Sequence, residues 1–135
     1  MDFVFEEANP DEGRTVAEDI ARDALGIDHY SLIDPSRDQR ASLGIGETSD
    51  WSCFNPMDDT VEVKDWLCTV YVEEHKKREE HWLKVIQGKQ FNRGLLICGD
   101  AHVLSMSYRF LSENFSVEAY SYVPYHRLCE KKHER

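Results

Sequence analysis

The segment Gly94-Leu95-Leu96-Ile97-Cys98 is apolar at successive positions instead of at every second one. A strand of that kind needs apolar neighbours on both faces, which is the situation of a parallel strand between layers of helices. Helical repeats flank it on either side. Upstream, Val63, Trp66, Leu67, Val70, Tyr71, Trp82 and Ile86 recur at intervals that predict one helix from Val63 to Ile86, about six turns long. Downstream, the switch Gly99-Asp100-Ala101-His102 leads into Val103, Leu104, Ser107, Tyr108 and Leu111, again at helical spacing. Helix, strand, helix in close succession points to an α/β chain.

The first third repeats this grammar. Phe3-Val4-Phe5 is a short strand-type run that ends in Glu6-Glu7 and a turn cluster, Asn9-Pro10-Asp11-Glu12-Gly13. Thr15-Val16-Ala17-Glu18 has the spacing of a capping box, with Thr15 as N-cap and Glu18 returning to its backbone amide; Val16, Ile20, Ala24 and Leu25 then carry an apolar stripe to Gly26. His29-Tyr30-Ser31-Leu32-Ile33 is a second strand. Asp34-Pro35-Ser36 stops it and starts a short polar helix that runs up to Gly44. Phe115-Ser116-Val117-Glu118-Ala119-Tyr120 is a last strand. The order β-α-β-α-loop-α-β-α-β predicts a single α/β domain over residues 1–122, a small, mostly parallel sheet covered by helices, with residues 123–135 as a charged tail. Residues 44–60 follow neither period and form a long loop, either a lid or simply mobile, in which Trp51 and Phe54 offer packing groups.

Bulk properties restrict the function classes. With 135 residues, 41% apolar and 31% charged, the chain suits one soluble globular domain. The longest apolar run, Leu95 to Cys98, falls far short of the roughly 20 residues of a membrane span. Met1-Asp2-Phe3-Val4-Phe5-Glu6-Glu7 has neither the basic nor the apolar part of a secretory signal, so the expected location is the cytoplasm. A net charge of −10 argues against general nucleic-acid binding. The charge is uneven: residues 1–65 hold 17 acids against 5 Lys and Arg, or −12, while residues 66–135 hold 9 against 11, or +2. The four cysteines, Cys53, Cys68, Cys98 and Cys129, lack the close spacing of a zinc knuckle or a redox dithiol, and reduced thiols are expected.

Chemistry in a parallel sheet belongs beyond the carboxyl ends of the strands. Glu6 and Glu7 follow the first strand, Asp34 the second, and Gly99-Asp100-Ala101-His102 the third. With Asp100 as an N-cap, His102 lies in the first helical turn, where the helix dipole depresses an imidazole's pKa and leaves a neutral metal ligand or base. Carboxylates from Glu6 or Glu7 with that imidazole would give an N/O site for a divalent metal. The apolar stripe of the long helix is broken at His75 and Arg78. Either this stretch overhangs the sheet and meets water, or Arg78 reaches a polar site at the sheet's edge. Each element also has an ordinary structural reading: a solvated glutamate pair, an aspartate cap, a hydrogen-bonded histidine. Their convergence on one rim makes them candidates. The chain has no phosphate-binding Gly-rich loop and no nucleophile elbow.

The runs Arg78-Glu79-Glu80-His81-Trp82-Leu83-Lys84-Val85-Ile86, Gly94 to His102 and Phe115-Ser116-Val117, together with Phe5-Glu6-Glu7, resemble the TraB/ChaN-like family. Its members have an Arg-bearing helix, a hydrophobic strand, a Gly-x-x-His turn and a helix leading to a final strand. The resemblance spans residues 78–120 and the short N-terminal patch. It implies a functional set of Glu6 or Glu7, Arg78, Gly99 and His102: carboxylate and imidazole at a metal or ligand, the arginine orienting or neutralising an oxyanion, the glycine letting the backbone turn.

In the family an earlier strand with its own Gly-x-x-His turn precedes the acidic one, whereas this sequence opens directly at Met1-Asp2-Phe3. A strand missing there would leave a sheet edge open and favour a homo-oligomer. Three functions are therefore expected alternatives. The first is a metal-dependent hydrolase, in which Glu6, Glu7 and His102 hold a divalent ion and Glu7, Arg78 and His102 are catalytic. The second is a non-catalytic module that binds a small ligand or regulates through the same rim, including Asp34, Gly99 and Asp100. The third is an interaction protein that pairs through a sheet edge.

Overall fold

The computed structural model of the protein describes residues 1–46 and 61–121. The expected 44–60 loop beyond Gly46 and the 123–135 tail lie outside them. The fold is α/β, built on a three-stranded parallel sheet in the order β2-β1-β3, with β1 (Phe3–Glu6) in the centre between β2 (Tyr30–Leu32) and β3 (Gly94–Ile97). By internal contacts the chain falls into two compact units, residues 1–97 and 98–135.

In the first unit the central strand is β1, whose Phe3, Val4 and Phe5 are all buried. Val4 pairs with Tyr30 and Leu95, and Phe5 with Ser31 and Leu96. The continuous apolar run that led to a buried reading of β3 instead forms an edge strand among the described residues. Leu95 and Ile97 there remain 40% and 39% exposed. Apolar character fixed the strand but not its place in the sheet, since either a central or an edge position satisfies it.

The connection after β1 passes through a 3₁₀ turn, Pro10–Glu12, to α1 (Val16–Asp19), which continues as a π-helical turn over Ile20–Ala24. Thr15 caps α1 as expected, accepting from the Glu18 amide at 3.1 Å, but Glu18 does not close the box: its carboxylate takes the Arg22 Nε–H at 2.9 Å. The expected stripe also differs. Val16, Ile20 and Leu25 are exposed and the small Ala21 is buried; the π turn, closed by Leu25 N–H to Ile20 O at 3.3 Å, departs from the 3.6-residue repeat on which that stripe was drawn.

After β2 the chain behaves as its sequence suggests. Ser36 and Gln39 form a complete capping box at the start of α2 (Arg37–Leu43), and Gly44 ends it in the left-handed conformation, φ 69°. The long helix, α3 (Val61–Gln87), has 27 residues and buries Trp82 and Ile86.

The second unit opens with α4 (Asp100–Ser112), whose N-cap is Gly99. Asp100 is therefore the first helical residue and not the cap; its Oδ1 accepts from Ser121 Oγ at 2.9 Å. The buried positions of α4 are His102 and Met106, whereas Leu104, Tyr108 and Leu111 are exposed, so the buried face is turned away from the expected stripe. Asn114, at φ 66°, follows the helix, and Phe115 folds back edge-on to Phe110 at 5.4 Å. The expected last strand over 115–120 is not formed: these residues have no regular structure. A strand-type sequence becomes a strand only by pairing, and no ladder engages this one among the described residues. No described helix is long and apolar enough to cross a membrane.

Candidate functional site

The carboxyl ends of β1 and β2 carry the polar side chains of the first unit. Glu6 is the last residue of β1 and Glu7 follows it, on a backbone held by the Glu7 N–H to Ile97 O bond of 2.8 Å. Successive residues leave a strand on opposite faces, so the adjacent glutamates enter different surroundings. Glu6 Oε1 accepts from Thr15 Oγ1 at 2.6 Å and from Tyr30 Oη. Burial and the bond to Glu6 push the Tyr30 phenol above its ordinary value, which keeps it a donor. Glu7 Oε2 accepts instead from Arg78 Nη2.

Asp34 lies just beyond β2, where the Ile33 and Asp34 amides bond to Glu6 O at 2.9 Å and Ala8 O at 3.2 Å. Its side chain is 6% exposed and both oxygens are engaged. Oδ1 accepts from Arg78 Nε at 2.9 Å and from Trp82 Nε1 at 3.0 Å; Oδ2 accepts from Arg40 Nη2 at 2.6 Å. Arg78 and Trp82 stand four positions apart on α3, hence on one face, and Arg40 comes from α2. One buried carboxylate thus ties two helices to the end of the sheet.

Arg78 is the hub. Its guanidinium spans Asp34 and Glu7, and its Cζ sits 5.2 Å from the centroid of the Trp82 ring, within cation–π range. Burial opposes the charge, but attraction and hydrogen bonds from Asp34 and Glu7 outweigh it and the net direction of the pKa is upward. Nε and Nη2 are both bonded, whereas Nη1 has no bond among the described residues. Next to this cluster, burial holds the His81 imidazole below its ordinary value, with Asp34 opposing the shift and Lys84 adding to it.

The structure therefore brings Glu7, Asp34 and Arg78 into direct contact and sets Glu6 in a neighbouring hydroxyl cluster. Of the two readings of the broken helical stripe, the polar site at the end of the sheet is the one the structure displays. Gly99, Asp100 and His102 belong to the second unit, where His102 is buried in the first turn of α4 and its amide bonds to Gly99 O at 3.0 Å. Among the described residues no group of three or more His, Cys, Asp or Glu side chains is gathered as a metal site requires. Glu6 and Glu7 belong to the first unit and His102 to the second.

Three participants were not singled out in the sequence: Arg40, Tyr30 and Trp82. For Trp82 a signal existed. An indole buried on the face of an interior arginine needs an acceptor for its N–H, and a carboxylate at a strand end is the natural one. Comparison with family models, with curated proteins and with solved structures gives no match.

Proposed function

We propose that the rim of the first unit is the binding site of a small molecule carrying a carboxylate or phosphoryl oxyanion, with Arg78 as its receptor. The observation that carries this reading is the state of the Arg78 guanidinium: fixed along its Nε–Nη2 edge by Asp34 and Glu7, 17% exposed, and with Nη1 unbonded among the described residues. A planar fork held on one edge offers a preset donor pair on the other, so an incoming oxyanion finds its partner already oriented. Asp34 is neutralised by Arg40 as well as Arg78, which leaves Glu7 as the carboxylate that a ligand's oxyanion would displace or share. Titration calorimetry of the full chain with inorganic phosphate and with acetate tests this. Saturable binding by the wild type that falls at least tenfold in Arg78→Lys is expected; equal affinity in the two proteins would remove the reading.

A second reading, metal-assisted hydrolysis of the TraB/ChaN-like kind, is favoured by one observation. Glu7 and Arg78, two residues of the set implied by that resemblance and 71 positions apart, are direct partners. In that reading Arg78 meets negative charge developing on the substrate. Titration with Mn²⁺ and Zn²⁺, using His102→Ala as comparison, decides it: unchanged metal affinity in the variant excludes His102 as a ligand.

A further inference from the structure

From the contacts of α3 we infer that Trp82 is a positioning residue for Arg78, acting on it both directly and through Asp34. The inference rests on the reading of Arg78 as a ligand receptor and adds the device that holds it. Three observations bear on it. Trp82 is fully buried, with its ring beneath the guanidinium at 5.2 Å. Its Nε1–H donates to the same Oδ1 that accepts Arg78 Nε–H. The second oxygen of Asp34 belongs to Arg40.

The consequence for Arg78 is geometric. A carboxylate that accepts from one arginine alone can swing about its Cβ–Cγ bond and carry the arginine with it. Here the indole N–H and Arg40 fix the carboxylate plane from two sides, so the Arg78 Nε–H vector has one direction. The aromatic face restrains the guanidinium against tilting out of that plane, which a hydrogen bond at its edge does only weakly. Arginine has several rotatable bonds whose freedom is lost on ordering; a side chain ordered in advance spares the ligand that loss. Replacement of the indole by an apolar ring would still fill the space, yet it would remove one of the two donors on Oδ1 and release this lock.

The test uses two variants of the full chain that retain an aromatic ring. Trp82→Phe keeps a smaller ring, and replacement of Trp82 by 3-benzothienylalanine keeps the bicyclic shape without the N–H, so at least one preserves the packing. Far-ultraviolet circular dichroism and thermal melting establish that each is folded. Water exchange of the Arg78 Nε–H, read by ¹⁵N NMR, then reports orientation in the absence of any ligand. An increase of at least tenfold over wild type is expected, with a loss of at least fivefold in affinity for inorganic phosphate. A folded benzothienyl variant with wild-type Nε–H exchange overturns the inference even if phosphate binds. Faster exchange in a chain whose wild type takes no phosphate supports the positioning role while removing the ligand reading, so the two fail separately.

Discussion

The two ends of β1 solve the same problem by opposite means. At the amino end Phe3 and Phe5 stack at 4.4 Å, Phe91 meets Phe5 edge-on at 5.2 Å, and His29 stacks on Phe3 at 5.6 Å. From Glu6 onward the carboxyl end is held by ion pairs and hydroxyl bonds centred on Asp34 and Glu6. The apolar end is secured by area removed from water, which tolerates small shifts. The polar end depends on every donor finding its acceptor, because an abandoned buried charge costs more than the pair contributes. Stability could have been had from apolar residues at both ends. The ionic cluster stands at the end of the strands where ligands bind in parallel sheets.

The largest test of this contrast is Asp34→Ala, which removes at once the acceptor shared by Arg40, Arg78 and the Trp82 N–H and leaves Arg78 with Glu7 and Arg40 with Gly46 O. A loss of about 3–5 kcal/mol in urea unfolding is expected, and a loss below 1 kcal/mol would mean that the cluster is not what binds the helices to the sheet. At the apolar end, a Cβ at position 94 would lie 2.9 Å from Phe91 Cε2 and 3.2 Å from Phe5 Cε2. Gly94→Ala is accordingly expected to cost about 1–3 kcal/mol, with recovery in the double variant that adds Phe91→Leu. Tyr30→Phe removes one of two hydroxyl donors to Glu6 and should cost about 1 kcal/mol, while leaving the melting behaviour of the aromatic end unchanged in the Gly94→Ala background. The smallest effect concerns His81. Its folded-state pKa lies below the ordinary 6.5, so the unfolded chain binds the proton more readily. Its share of stability is full above that value and declines as pH falls toward the folded pKa. His81→Gln should flatten this slope in urea titrations between pH 7.5 and 5.5; an identical slope would show that the imidazole is solvated in the native state.

The local grammar was legible where a single chemical reason decides the outcome. Asp34-Pro35-Ser36 and Gly44 bound a short helix and Phe3-Val4-Phe5 forms a strand, whereas the capping-box spacing of Thr15 and Glu18 delivers only its Thr15 half. Arg78 stood out because a cation interrupts an apolar stripe. What could not be read depends on partners distant in sequence. Leu95 and Ile97 form a strand in either a central or an edge position, and residues 115–120 have strand chemistry without a ladder to join. The turned face of α4, with His102 and Met106 buried in place of Leu104 and Tyr108, arises because hydrophobicity alone does not rank a histidine above a leucine for burial. Trp82 reads as plain core by its spacing; its indole N–H called for an acceptor, and which carboxylate supplies it is fixed only by the fold, where Asp34 takes it.

The clip at the start of β1 bears on how the chain finds its shape. Asp2 accepts the Asn92 and Arg93 amides with its two carboxylate oxygens across 90 and 91 positions, and β1 then pairs with β3 along its whole length. On the ribosome the middle of the sheet leaves the tunnel well before one of its two neighbours exists. Folding must wait for a long-range closure whose entropy is spent before the reward arrives, so we expect a slow, late-committing transition and a nascent Phe-Val-Phe segment in need of shelter from other chains.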